Sequence, residues 1–155
     1  VSEYTATSRP LEALSTTDLT PTDIQEYVVA CIAEVHLLSP SCSYRINAPP
    51  TERPACIYAD GVYDLLHFAH VLLLRQAKLA FLTTIEIRGS RTEVLGVHLL
   101  AGVHYDEVCT EHKNIPVMGR EGRCEAVQHC QWVDEVIPNA PWVIDQAALD
   151  KVCRH

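Results

Sequence analysis

The sequence predicts an α/β fold in which helices cover a parallel β-sheet. Short apolar runs typical of strands lie at 55–59, 97–103 and 132–137, and segments with helical periodicity lie between them at about 67–80 and 121–131. This alternation is typical of a parallel sheet with right-handed crossover connections. A length of 155 residues, 48% of them hydrophobic, is sufficient for one domain with its own core.

The first helix is predicted at about 21–38. Thr20 is a typical N-cap residue, and Pro21 suits the first helical position. Apolar residues then recur at helical spacing and form one stripe, made of Ile24, Val28, Cys31, Ile32, Val35 and Leu38. The polar face carries acidic residues and no Lys or Arg, which favours packing on protein over binding to anionic lipid.

A proline-rich segment divides the chain. Residues 39–54 contain four prolines, which favours a linker or an extended arm. We therefore predict an N-terminal extension at 1–54 and a globular domain at 55–155. A short helix at about 145–153 is expected to close that domain.

Composition excludes several classes of function. The formal net charge of −8 argues against binding to nucleic acid, which requires clustered Lys and Arg. No apolar run is long enough for a membrane helix. The seven cysteines include no CxxC pair, which argues against a disulfide framework or a zinc ribbon and favours reduced thiols in an intracellular, cytoplasmic protein.

The stretch DLLHFAH begins the second predicted helix and carries the first candidate site. His67 and His70 lie three residues apart on the first turn, so both rings can point to the same side. A helix N-terminus also offers free backbone N–H groups to a phosphate. On spacing alone, two helix-capping histidines without a ligand are the better interpretation, and a phosphate site is the alternative.

Several separated blocks resemble the cytidylyltransferase family of HxGH nucleotidyltransferases, in its choline-phosphate branch. YADGVYDLLHFAH resembles the family block YADGxFDxxHxGH, and LLLRQAK resembles the helix that follows it. VHLLAGVHYDEVCTEHKNIPVM resembles the next strand, turn and lysine loop, and RCEAVQHCQWVDEVIPNAPW resembles the helix–strand–APW block. The resemblance covers roughly residues 53–152 and implies a Rossmann-like nucleotidyltransferase fold for the domain at 55–155.

The resemblance implies that CTP and phosphocholine react to give CDP-choline and pyrophosphate, in phosphatidylcholine biosynthesis. The cofactor implied is Mg²⁺ carried with CTP, with Asp60 and Asp64 as nearby carboxylates and no residue assigned as a metal ligand. Ethanolamine-phosphate and glycerol-phosphate cytidylyltransferases are related alternatives. A further alternative is a degenerate, non-catalytic domain that binds nucleotide or a partner chain.

Site residues follow from the resemblance, position by position. The resemblance assigns catalysis to His67, His70 and Lys113, and choline binding to Asp60 and Trp142. It assigns nucleotide binding to Gly61, Val62, Tyr63, His67, Ala69, His70 and Lys113. It also implies a homodimer through residues 132–135, from Trp132 to Glu135, although Gln131 replaces the arginine that precedes them in the family.

The chain departs from the family pattern at four places. Ala69 replaces the glycine of HxGH, and Asn114 replaces a glycine after the lysine, so Asn114 is expected to adopt left-handed geometry. Residues 82–96 exceed the family connection and are expected to form an extra surface loop. The family motif RTEGIST does not follow in this sequence, so an incomplete domain is expected. Residues 9–19 resemble that motif approximately.

Overall fold

In a computed structural model of the protein, residues 18–35, 48–81, 83–87 and 91–152 are described. Several features discussed above lie outside these residues. They are the part of the RTEGIST-like segment at 9–17, the start of the linker at 39–47, and the cysteines Cys42 and Cys153. The elements in chain order are α1 (Pro21–Val35), β1 (Ala55–Gly61), α2 (Phe68–Leu79), β2 (Thr83–Ile87), β3 (Arg91–Leu95), β4 (Val97–His104), α3 (Asp106–His112), α4 (Arg120–Gln128), β5 (Glu135–Ala140) and α5 (Gln146–Val152).

The predicted parallel sheet is confirmed. Strands β1, β4 and β5 form a three-stranded sheet in the order β1-β4-β5, and both pairings are parallel. The central strand β4 is the most buried because both of its edges are paired and its sequence is almost wholly apolar. The carboxyl ends of the three strands, at Gly61, His104 and Ala140, therefore lie at one edge of the sheet.

The core lies between this sheet and its helices. Leu74 of α2 and Val127 of α4 are fully buried against β4 residues such as Leu99. Burial of each such side chain contributes roughly 1.5–3 kcal/mol relative to exposure. The core thus fixes α2 and α4 relative to the edge of the sheet where ligands of parallel sheets bind.

The predicted start of α1 is confirmed. The backbone N–H of Asp23 donates to Oγ1 of Thr20 at 3.2 Å, and the N–H of Thr20 donates to the Asp23 carboxylate at 2.9 Å, which is a reciprocal cap. Ile24 is buried, and Nε2 of Gln25 donates to the carbonyl of Leu79 at 3.3 Å. The helix therefore packs on α2, as its acidic polar face suggested.

Two predictions about the elements were wrong, and one element was missed. Residues 83–87 and 91–95 pair as an antiparallel ribbon instead of a surface loop, since TTIEI and RTEVL are rich in β-branched residues. Strand β5 begins at Glu135 instead of residue 132, because the N–H of Val133 donates to the carbonyl of Cys130 and closes a turn. The short helix α3 was not predicted.

Cys109 and Cys130 are buried. Within the described part of the chain, no helix combines the length and the apolar character needed to cross a bilayer.

Candidate active site

The loop from β1 to α2 has strained backbone geometry that places Tyr63 beneath the site. Tyr63 and Leu65 have φ of 53° and 45°, in the left-handed region that costs a non-glycine residue about 1 kcal/mol or more. The Tyr63 ring is 2% exposed, and its hydroxyl donates to the carbonyl of Ala59 at 3.2 Å. A Cβ on Gly61 would meet this ring at 3.2 Å, so a glycine there leaves room for Tyr63. The Tyr63 side chain therefore supports the site from the core.

His67 and His70 form a pair at the N-terminus of α2. The N–H of Ala69 donates to Nδ1 of His67 at 3.3 Å, and the N–H of His67 donates to Nδ1 of His70 at 3.4 Å. Because both Nδ1 atoms accept, each neutral ring carries its hydrogen on Nε2. The ring centroids lie 4.0 Å apart. The two side chains therefore cap the helix and also present two Nε2–H donors, so the capping and phosphate interpretations are compatible.

His70 is set to be neutral near pH 7. Burial is the largest cause that lowers the pKa of His70 below its ordinary 6.5, followed by the charges of His67 and Lys113. The Tyr63 and His70 rings meet in an edge-to-face arrangement with a centroid distance of 5.6 Å. A neutral His70 keeps the Nδ1 acceptor that the His67 backbone requires.

Ala69 and Asn114, which replace glycines of the family pattern, have backbone conformations that do not require glycine. Ala69 lies within α2, and the non-glycine residues with positive φ in the described part of the chain are Tyr63, Leu65 and Asn139. The expectation that Asn114 adopts left-handed geometry was therefore wrong. The loop after Lys113 follows a path that does not require a glycine.

Arg123 joins the ends of the two strands that flank the site. Its guanidinium is fully buried and donates to the carbonyls of Val62, His104 and Met118, and to the carboxylate of Asp106 at 2.6 Å. The bond from Arg123 is the largest cause that lowers the pKa of Asp106. No feature of the sequence distinguishes Arg123 from an exposed helical arginine, so it was missed.

Asp64 anchors the lysine loop. Its two carboxylate oxygens accept the backbone N–H groups of Val117 at 2.7 Å and Met118 at 2.9 Å, and these bonds lower its pKa. Both oxygens are thus engaged, which does not suit a metal ligand. The described residues also contain no group of three His, Cys, Asp or Glu side chains that could hold a metal ion.

A cluster around Trp142 lies at the ends of all three parallel strands. His104 is 4% exposed, Nδ1 lies 3.1 Å from the Ala140 carbonyl oxygen, and Nε2 lies 3.4 Å from Oδ2 of Asp60. The His104 and Trp142 ring centroids are 4.9 Å apart. The pairing of β4 with β5 is irregular at Asn139, which has a φ of 61°. Asn139 is the extra residue of this bulge, so Ala140 lies opposite His104. His104 was missed, although its place directly after a predicted strand was a usable signal.

Lys113 connects the two halves of the site. Nζ lies 5.5 Å from the centroid of the Trp142 ring, and the charge of Lys113 also acts on His70. His112 stacks on the same ring with a centroid distance of 4.6 Å. The predicted residues Asp60, Trp142, Lys113, His67 and His70 are therefore brought to one edge of the sheet.

A polar cavity of about 510 Å³ lies beside this cluster. None of the predicted site residues lines it. Its walls come from the start of α3 and the start of α4, and they are Tyr105, Asp106, Glu107, Gly119, Arg120, Glu121 and Gly122. It shares Asp106 with the Arg123 contacts and was not anticipated from the sequence.

Comparison with known proteins assigns the family. The family model described as cytidylyltransferase-like matches residues 58–153, so the chain belongs to the cytidylyltransferase-like family. This range includes every predicted site residue, and it confirms the resemblance and the nucleotidyltransferase fold.

Individual relatives agree with this family. A probable choline-phosphate cytidylyltransferase of Schizosaccharomyces pombe is 43% identical over 114 residues, 74% of this chain and 28% of the relative. The choline-phosphate cytidylyltransferase of Saccharomyces cerevisiae is 44% identical over 101 residues, 65% of this chain and 21% of the relative. An ethanolamine-phosphate cytidylyltransferase of mouse is 37% identical over 106 residues, 68% and 22% of the two chains. The matched part thus spans about a quarter of each relative's length.

Proposed function

We propose that this domain transfers the cytidylyl group of CTP to phosphocholine and releases pyrophosphate. The observation that carries the proposal is the His67–His70 pair. Both Nδ1 atoms accept hydrogen bonds from backbone N–H groups, so both Nε2–H groups are available as donors. Paired donors at a helix N-terminus suit the phosphates of a nucleotide. The names of the yeast relatives support phosphocholine as the second substrate.

The second half of the site suits a quaternary ammonium. Such a group has no N–H and is held by an aromatic face together with negative charge. Trp142 and Asp60 both contact His104, so they lie close enough to serve one ligand. Lys113, between this cluster and His70, would neutralise phosphate charge as the two substrates meet.

The chemistry then requires position and charge from the protein, without a covalent intermediate. A phosphocholine oxygen attacks the α-phosphorus of CTP and forms the new O–P bond. The bond from that phosphorus to the β-phosphate oxygen breaks, and its electron pair leaves with pyrophosphate. The Nε2–H donors of His67 and His70 would stabilise charge on the phosphate oxygens. Mg²⁺ belongs to the substrate in this proposal, as the ion carried by the CTP phosphates.

Two further features remain predictions from the sequence. A homodimer through residues 132–135 is one, although Trp132 already packs on the core and Asp134 already pairs with Lys78 within the chain. A cytoplasmic location is the other.

The test is conversion of CTP and phosphocholine to CDP-choline, with pyrophosphate release as a second readout. His67→Asn and His70→Asn each keep a side-chain oxygen that can accept the backbone N–H, but they lack the Nε2–H donor. We expect each to lower kcat about 100-fold or more, since removal of one such donor has an effect of this order. His129→Gln, at an exposed histidine paired with Glu125, is the control.

Full activity in both asparagine variants would contradict the role of the histidine pair. Calorimetry that showed CTP binding by the wild-type protein without turnover would favour the non-catalytic alternative. No binding of CTP or phosphocholine would refute both.

A further inference from the structure

Three side chains of the chain itself surround the Trp142 ring. Its centroid lies 4.9 Å from the ring centroid of His104 and 4.6 Å from that of His112. Nζ of Lys113 lies over the ring at 5.5 Å from the centroid. Trp142 itself is only partly exposed. A trimethylammonium group can therefore reach a face of this ring only if one of the three side chains moves.

The two histidines are held in place by hydrogen bonds. Nδ1 of His104 lies 3.1 Å from the carbonyl oxygen of Ala140, and Nδ1 of His112 lies 3.1 Å from the carbonyl oxygen of Val108, one turn earlier in α3. A backbone carbonyl can only accept, so each Nδ1 donates its hydrogen. His104 and His112 therefore hold the Trp142 ring in position.

Lys113 is the group that can leave. Its side chain is exposed, and Nζ has no hydrogen-bond or ion-pair partner among the residues that the structure describes. Its backbone is fixed, because its N–H donates to the carbonyl of Cys109 at 2.8 Å, and Asp64 holds the N–H of Val117 further along the loop at 2.7 Å. Nζ can thus move by rotation about side-chain bonds while the loop stays in place.

Lysine and choline present the same kind of charge to the ring. An aromatic face attracts an ammonium group whatever its substituents are. The lysine ammonium also has three N–H donors, which phosphate oxygens accept as charge-assisted hydrogen bonds and which the ring serves poorly. A trimethylammonium has no donor and leaves none unpaired on the ring. Exchange of the two cations therefore improves the surroundings of both.

We infer that Lys113 holds the ammonium position on Trp142 and that the trimethylammonium group of phosphocholine displaces it. The inference rests on the proposed function, because phosphocholine and CTP are the ligands of the site. Once displaced, Lys113 neutralises the CTP phosphates beside His67 and His70. Phosphocholine and CTP therefore bind with positive coupling, and each strengthens the binding of the other by the same factor.

The displacement can be observed by NMR. Choline chloride is the probe, since it carries the trimethylammonium group and has no phosphate to attract Lys113. The ε-methylene protons of Lys113, assigned by their loss in Lys113→Met, lie near the Trp142 ring, so the ring current shifts their resonance. Choline should return this resonance towards that of an exposed lysine, and sodium chloride at the same concentration should not. The same titration with phosphocholine, without CTP, covers weak binding of choline.

The coupling is measured by calorimetry of CTP binding in choline chloride and in sodium chloride. In the wild-type protein, choline should lower the Kd of CTP about two- to fivefold, the range expected for a cation–π contact at an exposed site. Lys113→Met should bind CTP more weakly, and choline should no longer change that Kd. Arg53→Gln removes an exposed positive charge before β1, at the opposite edge of the sheet, and should keep the wild-type coupling.

Trp142→Leu tests the contact from its other side. The variant keeps Lys113 and removes the ring that holds it. CTP alone should then bind about two- to fivefold more tightly than to the wild-type protein, and choline should add nothing. A merely structural role of Trp142 would not strengthen the binding of CTP.

The outcomes separate the two proposals. Turnover of phosphocholine, with a Lys113 resonance that neither choline nor phosphocholine moves, overturns the inference and leaves the proposed function intact. Tighter CTP binding in choline without movement of that resonance also overturns the inference. Displacement of Lys113 with coupled CTP binding but without turnover refutes catalysis and supports the role of Lys113. Absence of both turnover and displacement overturns both proposals.

Discussion

Asp106 accepts a 2.6 Å hydrogen bond from Nη2 of Arg123, and that guanidinium is fully buried. The same nitrogen donates to the carbonyl of His104 at 2.8 Å, and Nη1 donates to the carbonyl of Val62. One side chain from α4 thus holds the end of β4 and the residue that follows β1. The relative position of the histidine pair and the Trp142 cluster therefore depends on the hydrogen bonds of Arg123.

Arg123→Lys should destabilise the fold. Lysine keeps the charge but cannot reach several acceptors in the planar arrangement that the guanidinium provides. We expect the free energy of unfolding in urea to fall by about 2–4 kcal/mol, since the variant leaves buried carbonyls and Asp106 poorly paired. Arg53→Lys, at an exposed arginine, should change it by less than about 0.5 kcal/mol. Equal values for the two variants would show that Arg123 does not join the strands.

Asp64 and Asp106 should make the protein sensitive to acid. The pKa of each carboxyl is lowered in the fold, by backbone N–H groups for Asp64 and by Arg123 for Asp106. Stabilisation from a lowered pKa is fully present above the ordinary value of 3.8 and is lost as pH falls through the folded value. Urea unfolding between about pH 7 and pH 3 should show a loss of stability below about pH 4. Asp64→Asn should reduce this loss, and an unchanged pH profile would contradict the role of Asp64.

Lys113 should influence the titration of His70. Burial is the main cause of the lowered pKa of His70, and the charges of His67 and Lys113 add to it. Lys113→Met removes one positive charge, so the pKa of His70 should rise part of the way towards 6.5. An NMR titration of the histidine rings measures this directly. A pKa of His70 that does not rise in Lys113→Met would contradict the contribution of the Lys113 charge.

Ala69→Gly tests whether the added methyl group impairs the site. Ala69 lies in the first turn of α2, and its N–H already donates to His67. Glycine should lower the free energy of unfolding by up to about 1 kcal/mol through its poorer helix propensity. Because the histidine pair is already formed with alanine present, we expect no large gain in kcat/KM for CTP. A gain of about tenfold or more, equal to about 1.4 kcal/mol, would show that the methyl group obstructs the nucleotide.

Gly102→Ala should disturb the central strand. A Cβ at Gly102 would lie 2.0 Å from the Tyr58 hydroxyl, so the ring must move. We expect a loss of about 1–3 kcal/mol of stability, which is typical of overpacking. Gly96→Ala is the matched control, because nothing lies within 4 Å of a Cβ there. If the two variants unfold at the same urea concentration, Tyr58 does not pack as described.

The sequence by itself determined the elements whose pattern is local. The start of α1 was predicted from Thr20 and Pro21. Strand β4 was predicted from a continuous apolar run, which is typical of a buried strand in a parallel sheet. The histidine pair could also be predicted, since residues three apart on a helix turn face one side whatever surrounds them.

The tertiary structure decided the contacts that join separate segments. Arg123 reaches Val62 across 61 positions and His104 across 19, and no local pattern specifies those partners. His104 meets Asp60 and Ala140 only because three parallel strands end at one edge of the sheet. Propensity and periodicity act over a few residues, whereas the site is formed by packing between distant ones. The sequence therefore determined which side chains can act, and the fold decided which of them act together.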